Sequence, residues 1–311
     1  MREMKTAALI GLGAIGGFVA PGLQRVLGDN FRVIAGGARK ERLETEGCVI
    51  NDKTYHFHIV DPEEETGYAD FVIFATKNTQ IDQAIQDMKN QIGPDTIVMS
   101  LLNGVTSEEK IGEVYDPANI LTTIIRLPSI NQGGRITYPE GKGKISFGED
   151  KNLELSEKVL AVKDLFDKAE ITYEIPEDMQ KVMWIKYMTN VSENQLCAVL
   201  GTPYKGFHVS DFINNLREDV AREVIAVAQK KGIDLTEEDL IKHRSYIMGI
   251  IPHGRPSTLQ DIQAKRKTEV EAFAGDMIRM GKEVGVATPY NHMLYHMICA
   301  LEEKNEGKFE V

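Results

Sequence analysis

Several features that mark other classes of protein are scarce in this chain. Its 311 residues include only three cysteines, Cys48, Cys197 and Cys299, which are widely spaced and odd in number. A disulfide framework is therefore not expected, and a reducing cytoplasm fits. No stretch approaches the roughly 18 uncharged apolar residues needed to span a bilayer. Basic residues are outnumbered, 36 Lys and Arg against 47 Asp and Glu, so the net charge of −11 gives no reason to expect nucleic acid or a membrane surface as a partner.

What the chain has, close to its start, is a glycine-rich turn. Residues 7–10 are an apolar strand pattern, Gly11-Leu12-Gly13-Ala14-Ile15-Gly16 follows at once, and a helical pattern then continues to about Leu27. In this context the first glycine permits a tight turn, the second lets the backbone approach a pyrophosphate, and the third lets helix and strand pack closely. The helix amino terminus supplies N–H groups to the phosphates. We expect a dinucleotide to bind at Gly11, Leu12, Gly13, Ala14, Ile15 and Gly16.

The residues after the second predicted strand, 31–35, indicate which dinucleotide. An NAD site usually has Asp or Glu there to bind the ribose 2′-hydroxyl. This chain has Gly36 and Gly37, followed by Arg39 and Lys40. The alternative is a solvated loop that opens a charged helix, because acidic residues interleave with the basic ones. We predict NADP(H), with Arg39 as the first candidate for its 2′-phosphate and Lys40 as the second.

Further apolar strands are predicted at 71–75 and 96–100, with helical patterns after each. Ligands of such parallel sheets bind beyond the carboxyl ends of the strands, where strand order reverses. Lys77 and Asn103 stand at those ends, so we expect both beside the cofactor. The alternative is a surface lysine and an Asn-Gly turn.

The two halves of the chain differ in pattern. After a β-hairpin at 130–148, a helix at 153–169 and a strand at 171–175, the remainder is almost wholly helical, with helices predicted at 177–200, 210–232, 236–249, 257–283 and 288–304. The predicted fold class is α/β, with an N-terminal Rossmann-type domain (1–176) built on a doubly wound parallel sheet. An all-helical substrate-binding domain (177–311) follows it. In this layout the substrate lies in the cleft between the domains.

The first of these helices carries an unexpected polar line. Apolar residues surround the helix at 182–200, which is typical of a buried helix. Lys186, Asn190 and Asn194 are spaced i, i+4, i+8 and therefore share one side. They are either a solvated face or a ligand groove with Lys186 as proton donor.

A second polar concentration runs from Ser257 to Glu269. Asp261, Lys265 and Glu269 have the spacing of surface ion pairs, and Ser257 with Gln260 resembles a capping box. A straight helix would put about 18 Å between Ser257 and Glu269, too far for both to touch one small ligand. His292 and His296 have metal-ligand spacing, but no third ligand accompanies them, so no metal is expected.

Taken in order, these motifs resemble the ketopantoate reductases (2-dehydropantoate 2-reductases) along nearly the whole chain. The matching pieces are the glycine turn, Lys77 with Gln80, Leu-Asn103-Gly, the segment from Trp184 to Asn194, and Ser257-Thr-Leu-Gln-Asp261 leading to Glu269. The resemblance implies reduction of 2-dehydropantoate to (R)-pantoate with NADPH, a step towards pantothenate and coenzyme A.

The resemblance also assigns roles to individual residues. Lys186 would be the general acid, Glu269 a carboxylate that binds substrate and supports catalysis, and Lys77 a neighbour of the cofactor. Asn103, Asn190, Asn194 and Ser257 would position the substrate. The chain departs from the family pattern at Gly254, where the family often has Asn, and at Thr258, where Met is common. These departures bear on substrate identity more than on reaction type.

Two other functions remain open at this stage. The chain could be a two-domain reductase of another 2-oxo acid, of the opine or hydroxy-acid type. It could also be a non-catalytic NADP-binding sensor, although a sensor has no need of Lys186 and Glu269. A homodimer is possible.

Overall fold

The computed structural model describes residues 2–309. Residues 1, 310 and 311, which end the two predicted domains, lie outside the described residues. The chain divides into two compact units, one running to Asn103 and resuming over Ser107–Gln180, the other made of Gly104–Thr106 and the chain from Lys181 onward. Within residues 2–309, no helix is long and apolar enough to cross a bilayer.

The first unit alternates strands with helices. Its strands are β1 Ala7–Ile10, β2 Phe31–Ile34, β3 Cys48–Ile50, β4 Lys53–Tyr55, β5 His58–Val60, β6 Phe71–Phe74, β7 Ile97–Ser100, β8 Ile120–Arg126, β9 Ile130–Gln132, β10 Arg135–Thr137, β11 Lys144–Gly148 and β12 Tyr173–Glu174. Its helices are α1 Gly16–Leu27, α2 Gly37–Glu46, α3 Ile81–Asp87, α4 Ser107–Gly112 and α5 Glu157–Ala169.

Eight strands form the main sheet, in the order β12-β11-β8-β7-β6-β1-β2-β5. Strands β5, β2, β1, β6, β7 and β8 run parallel, and β11 is antiparallel to β8. The chain leaves β1 towards β2 and β5, then returns to add β6 on the other side of β1. Strand order therefore reverses between β1 and β6, next to the glycine turn.

Both faces of this sheet are covered, which is why its central strands are continuous apolar runs. Ala7 and Leu9 of β1 belong to a core cluster shared with α1 and α5, whereas Ala8 and Ile10 belong to another shared with α3 and α4. The predicted doubly wound sheet is confirmed. The predicted hairpin at 130–148 is formed by β9 and β10 only. These join a small sheet in the order β4-β3-β10-β9, while β11 joins the main sheet.

The second unit is helical. Its elements are α6 Met179–Thr189, a π-helical turn at Asn190–Asn194, α7 Gln195–Leu200, α8 Lys205–Val209, α9 Asp211–Lys230, α10 Glu237–Met248, α11 Ser257–Gln263, a second π-helical turn at Glu271–Gly275, α12 Asp276–Val284 and α13 Pro289–Asn305. Helix α6 begins two residues before the division between the units.

The predicted single helix at 257–283 is wrong. Helix α11 ends at Gln263, and helical structure resumes only at Glu271. Lys265 adopts a left-handed φ of +54°, and the Arg266 N–H donates to the Asp261 carbonyl at 2.8 Å, which closes the helix end. The Arg266 guanidinium also pairs with the Asp261 carboxylate at 2.8 Å. No Gly or Pro marks this break, and the 18 Å separation expected for a straight helix between Ser257 and Glu269 does not apply.

Candidate functional site

The three glycines of the turn after β1 differ in whether the surrounding structure would tolerate a side chain. Gly11 has a φ of +98°, and a Cβ there would lie 2.4 Å from the carbonyl carbon of Ala75. A Cβ on Gly16 would lie 2.2 Å from the Gly11 oxygen. A Cβ on Gly13 would have no described atom within 4 Å. A side chain at Gly11 or Gly16 would therefore clash with the protein's own backbone, whereas Gly13 leaves an open approach to the backbone, as a pyrophosphate requires.

Arg39 lies beside this turn. It belongs to the first turn of α2, and its Nη2 donates to the Leu12 carbonyl at 3.1 Å. Lys40 is directed elsewhere, since its Nζ lies 3.2 Å from the Glu44 carboxylate. The structure thus brings Arg39, the first predicted ligand of a 2′-phosphate, to the glycine turn.

The structure also adds a carboxylate that sequence reasoning missed. Gly36 and Gly37 follow β2 as predicted, but a Cβ on Gly36 would lie 3.5 Å from Oδ2 of Asp61, which follows β5. Strand β5 is the parallel neighbour of β2, so their carboxyl ends share an edge. Asp61 is therefore a candidate ligand for a ribose hydroxyl, and only the pairing of β2 with β5 reveals it.

Lys77 and Asn103 follow the neighbouring strands β6 and β7, in which Phe74 pairs with Ser100. The amide of Asn78, next to Lys77, donates to the Asn103 carbonyl at 2.8 Å. The segment leading to Lys77 abuts the glycine turn, because a Cβ on Gly11 would lie 2.5 Å from the Thr76 nitrogen. The segments that carry Lys77, Asn103 and the glycine turn therefore lie together at one edge of the sheet, where strand order reverses.

In the second unit, the predicted polar line includes the first π-helical turn. Asn190 and Asn194 are 8% and 6% exposed, and the Asn194 amide donates to the Asn190 oxygen at 3.2 Å. Nδ2 of Asn190 is buried and has no hydrogen-bond partner among the described residues. Lys186 is half-buried one turn earlier. A fully solvated face is therefore excluded for the two asparagines.

The π-helical turn itself was not predicted, although the sequence carries a signal for it. Thr189, Ser192 and Gln195 each donate a side-chain hydrogen bond to the carbonyl four residues earlier, at 3.1, 2.7 and 2.7 Å. Such bonds satisfy carbonyls where the regular helical ladder is interrupted. Single π turns of this kind are frequent at functional sites.

Glu269 lies in the segment between α11 and the second π-helical turn. Its neighbour Thr268 donates through both its backbone N–H and its hydroxyl to Oε1 of Glu302 on α13, at 2.8 and 2.6 Å. Glu302 is 8% exposed and also pairs with Lys267. A buried carboxylate 34 residues away along the chain from Thr268 therefore fixes the backbone that carries Glu269.

Ser257 is exposed at the first residue of α11. The capping-box interpretation is wrong, because Pro256 occupies the N-cap and the Gln260 amide donates to the Arg255 carbonyl at 2.7 Å. Serine at this position is not needed to start the helix, so its hydroxyl is available for another purpose.

A buried hydrogen bond joins the segments that carry Lys186 and Glu269. The hydroxyl of Tyr187 donates to the Phe273 carbonyl, in the second π-helical turn, at 2.8 Å. Tyr187 is 1% exposed, and burial raises the pKa of its phenol well above the usual value. The hydroxyl therefore remains a donor throughout the physiological range.

Replacing Tyr187 by phenylalanine should lower the free energy of unfolding by about 0.5–1.5 kcal/mol, because the Phe273 carbonyl loses a buried hydroxyl donor and keeps the backbone N–H of Asp276. Urea denaturation of the two proteins measures this. Tyr290→Phe serves as the control, since the Tyr290 hydroxyl lies at the surface, 3.3 Å from Asp219. Equal losses in the two variants would contradict a special role for the buried bond.

Across residues 2–309, no group of three or more His, Cys, Asp or Glu side chains is arranged to hold a metal ion. The rings of His292 and His296 pack on each other, with centroids 4.6 Å apart.

Comparison with known proteins extends over both units. A family model described as "Ketopantoate reductase PanE/ApbA" matches residues 7–152, and one described as "Ketopantoate reductase PanE/ApbA C terminal" matches residues 178–302. A curated 2-dehydropantoate 2-reductase from Streptococcus pyogenes is 28% identical over 280 residues, covering 89% of this chain and 90% of the relative.

Two solved structures are similar over nearly all of the chain. A D-mandelate dehydrogenase, solved with NADH and anilino(oxo)acetate, is 25% identical with a TM-score of 0.83, covering 97% of this chain and 99% of its own. A dimeric ketopantoate reductase from Staphylococcus aureus is 20% identical with a TM-score of 0.81, covering 96% and 99%. The second likeness shows a shared fold.

Proposed function

Because the chain belongs to the ketopantoate reductase family, we propose that it reduces 2-dehydropantoate to (R)-pantoate with NADPH, in the synthesis of pantothenate and coenzyme A. That the chain is an oxidoreductase rests on the family and on its curated relatives. The observation that carries the substrate proposal is the buried Asn190–Asn194 pair on the helix of Lys186. Two buried amides in contact, one with a donor that no described residue satisfies, form a polar surface suited to the oxygens of a small acid.

In this proposal Lys186 acts as the general acid. Addition of hydride to the 2-oxo carbon places negative charge on the carbonyl oxygen. The Lys186 ammonium would stabilise that charge and transfer a proton to the oxygen to give the alcohol. Asn103, Asn190, Asn194 and Ser257 would orient the substrate, and Glu269 would accept a hydrogen bond from a substrate hydroxyl.

The first unit would hold the nicotinamide cofactor. Bound NADPH would supply the hydride that reduces the 2-oxo carbon. Gly11, Leu12, Gly13, Ala14, Ile15 and Gly16 would bind the pyrophosphate, with Lys77 and Asn103 nearby. The open approach at Gly13 and the guanidinium of Arg39 at the Leu12 carbonyl both fit a phosphate-bearing dinucleotide.

The preference for NADPH over NADH can be tested at two positions. Arg39→Ala should raise the KM for NADPH by roughly tenfold or more, because it removes a charge-assisted contact with the 2′-phosphate, while the KM for NADH changes little. Asp61→Asn is the matched variant, since its carboxylate lies beside Gly36, just past the end of β2, and is the candidate ribose ligand. If Asp61→Asn weakens NADH binding and Arg39→Ala changes neither cofactor, the enzyme prefers NADH.

The substrate proposal is tested by steady-state oxidation of NADPH and of NADH with a panel of 2-oxo acids. We expect 2-dehydropantoate to give the highest kcat/KM. A second candidate follows from the similarity to D-mandelate dehydrogenase, and benzoylformate, the 2-oxo acid of mandelate, would then be the best substrate. Tight cofactor binding with no turnover of any 2-oxo acid would indicate a sensor.

We also propose a homodimer in the cytoplasm. The homodimer is proposed because the chain is similar in fold to a dimeric reductase. The cytoplasmic location is proposed because the three cysteines are free. Light scattering after size-exclusion chromatography should give twice the mass of 34.8 kDa.

A further inference from the structure

A buried group of ionisable side chains links the first π-helical turn to α9 and α10. Glu193 and Arg217 are both 0% exposed, and the side chain of His243 is 9% exposed. Oε1 of Glu193 accepts from Nε2 of His243 at 2.7 Å and from Nη1 of Arg217 at 3.4 Å. These three residues, from the π-helical turn, α9 and α10, are called the charge cluster below.

The charge cluster holds the turn at two points. Nε2 of His243 lies 2.7 Å from the Glu193 carboxylate and 3.3 Å from the Thr189 hydroxyl. Thr189 directly precedes Asn190, and Glu193 directly precedes Asn194. One imidazole on α10 therefore contacts the chain immediately before each of the two asparagines that form the buried amide pair.

Other groups enclose the cluster and shield it from bulk solvent. The Arg217 guanidinium carbon lies 5.8 Å from the centre of the Phe207 ring, and Nη2 lies 3.5 Å from the carboxylate of Glu218. Burial, together with the Glu193 charge, raises the pKa of the neighbouring Cys197 thiol to about 12. Oε2 of Glu193 and Nε of Arg217 have no hydrogen-bond partner among the described residues.

Such an arrangement is a poor source of stability. Desolvating a carboxylate and a guanidinium is costly, and apolar residues of similar volume often serve a fold as well or better. A buried ion pair whose polar atoms are only partly satisfied costs still more. What the charge cluster does provide is a fixed geometry, because charge-assisted hydrogen bonds tolerate little displacement when they are buried.

We infer that Glu193, Arg217 and His243 are positioning residues, which fix the π-helical turn so that the amides of Asn190 and Asn194 meet the substrate in one orientation. This inference rests on the proposed function, since it takes the two asparagines to contact the 2-oxo acid. The cluster itself touches no reacting atom. Its effect passes through the backbone at Thr189 and Glu193.

The test compares Glu193→Gln, Arg217→Met and the double variant with Glu223→Gln. Glu223 is a matched control, a buried carboxylate of the same unit that accepts from the N–H groups of Tyr290 and Asn291 at 2.8 and 3.0 Å. Three quantities are measured for each protein: the urea midpoint, the Kd of NADPH, and kcat and KM for 2-dehydropantoate. Hydrogen exchange of residues 186–197 reports on the turn independently of activity.

In Glu193→Gln we expect kcat/KM for the 2-oxo acid to fall about 10- to 100-fold through displaced substrate contacts. The Kd of NADPH should change less than about twofold, and exchange at the turn should accelerate. The double variant removes both charges of the pair, so its urea midpoint should recover while its kcat/KM stays low. Glu223→Gln should lose stability and keep its kcat/KM.

Recovery of kcat/KM together with stability in the double variant would overturn the inference, because the charges would then serve folding alone. Wild-type kinetics in Glu193→Gln would overturn it as well. Failure of the proposed function looks different, since the wild-type protein itself would turn over no 2-oxo acid. Hydrogen exchange would then still decide whether the charge cluster holds the turn.

Discussion

Replacing Lys186 by methionine is expected to lower kcat for 2-dehydropantoate by roughly 10²-fold or more, because in the proposed mechanism the developing alkoxide loses its proton donor and a stabilising positive charge. Methionine keeps the length and the packing of the lysine stem. The Kd of NADPH should stay within about twofold, since in the proposed mechanism the lysine acts on the substrate oxygen. Single-turnover kinetics with saturating NADPH, followed at the nicotinamide absorbance, isolates the reduction step.

Lys181→Met provides the control for this experiment. Lys181 lies on the same helix five residues earlier, and its Nζ pairs with Asp234 and Asp239 at 3.2 and 3.1 Å. Its removal should reduce stability by no more than about 1 kcal/mol, because the pair is partly solvated, and should leave kcat unchanged. Equal kcat in Lys186→Met and wild type would remove Lys186 from the mechanism.

Gly13→Ala is expected to abolish tight NADPH binding while leaving the protein folded. A Cβ at this position meets no described atom within 4 Å, so the free protein accommodates it. The same methyl group would stand where the pyrophosphate approaches the backbone. We expect the Kd of NADPH to rise by roughly 100-fold, which corresponds to about 2.7 kcal/mol, with the urea midpoint unchanged. Quenching of the single Trp or calorimetry measures the affinity.

Gly11→Ala is the control for this experiment, because it should lower the stability of the protein even when no cofactor is present. Here the backbone has a φ of +98°, and the new Cβ would lie 2.4 Å from a carbonyl carbon of the neighbouring strand end. The fold should therefore be destabilised by about 3 kcal/mol or more even without cofactor. Normal NADPH affinity in Gly13→Ala would place the dinucleotide elsewhere.

Much of the first unit could be predicted from local patterns. The apolar runs at β1, β6 and β7 are buried on both sides, so each of these strands can be predicted without knowledge of its neighbours. The glycine turn can be predicted in the same way, because the need for glycine at each position arises within a few residues or from the adjacent strand. Asp61 was missed because its relevance depends on the pairing of β2 with β5, which lie far apart in sequence.

The second unit shows where such patterns stop being sufficient. The helix carrying Lys186, Asn190 and Asn194 was predicted, and the shared side of the two asparagines is confirmed by their hydrogen bond. The π-helical turn, whose first and last residues are these two asparagines, was not predicted. It differs from an α-helix by only one inserted residue in the hydrogen-bond ladder. The end of α11 was missed because a lysine, rather than a glycine, adopts the left-handed conformation.

The sequence by itself determined the glycine turn, the doubly wound sheet, the helical second half and the order of motifs that marks the family. All of these depend on residue type and spacing over short distances. Only the tertiary structure decided which contacts hold the proposed site residues in place. These are the hydrogen bonds of Thr268 with Glu302, of Tyr187 with the Phe273 carbonyl, and of Glu193 with His243 and Arg217. The partners in these contacts are separated by 24 to 86 residues along the chain. Their hydrogen bonds become strong only once folding has removed water from around them, which no local pattern encodes.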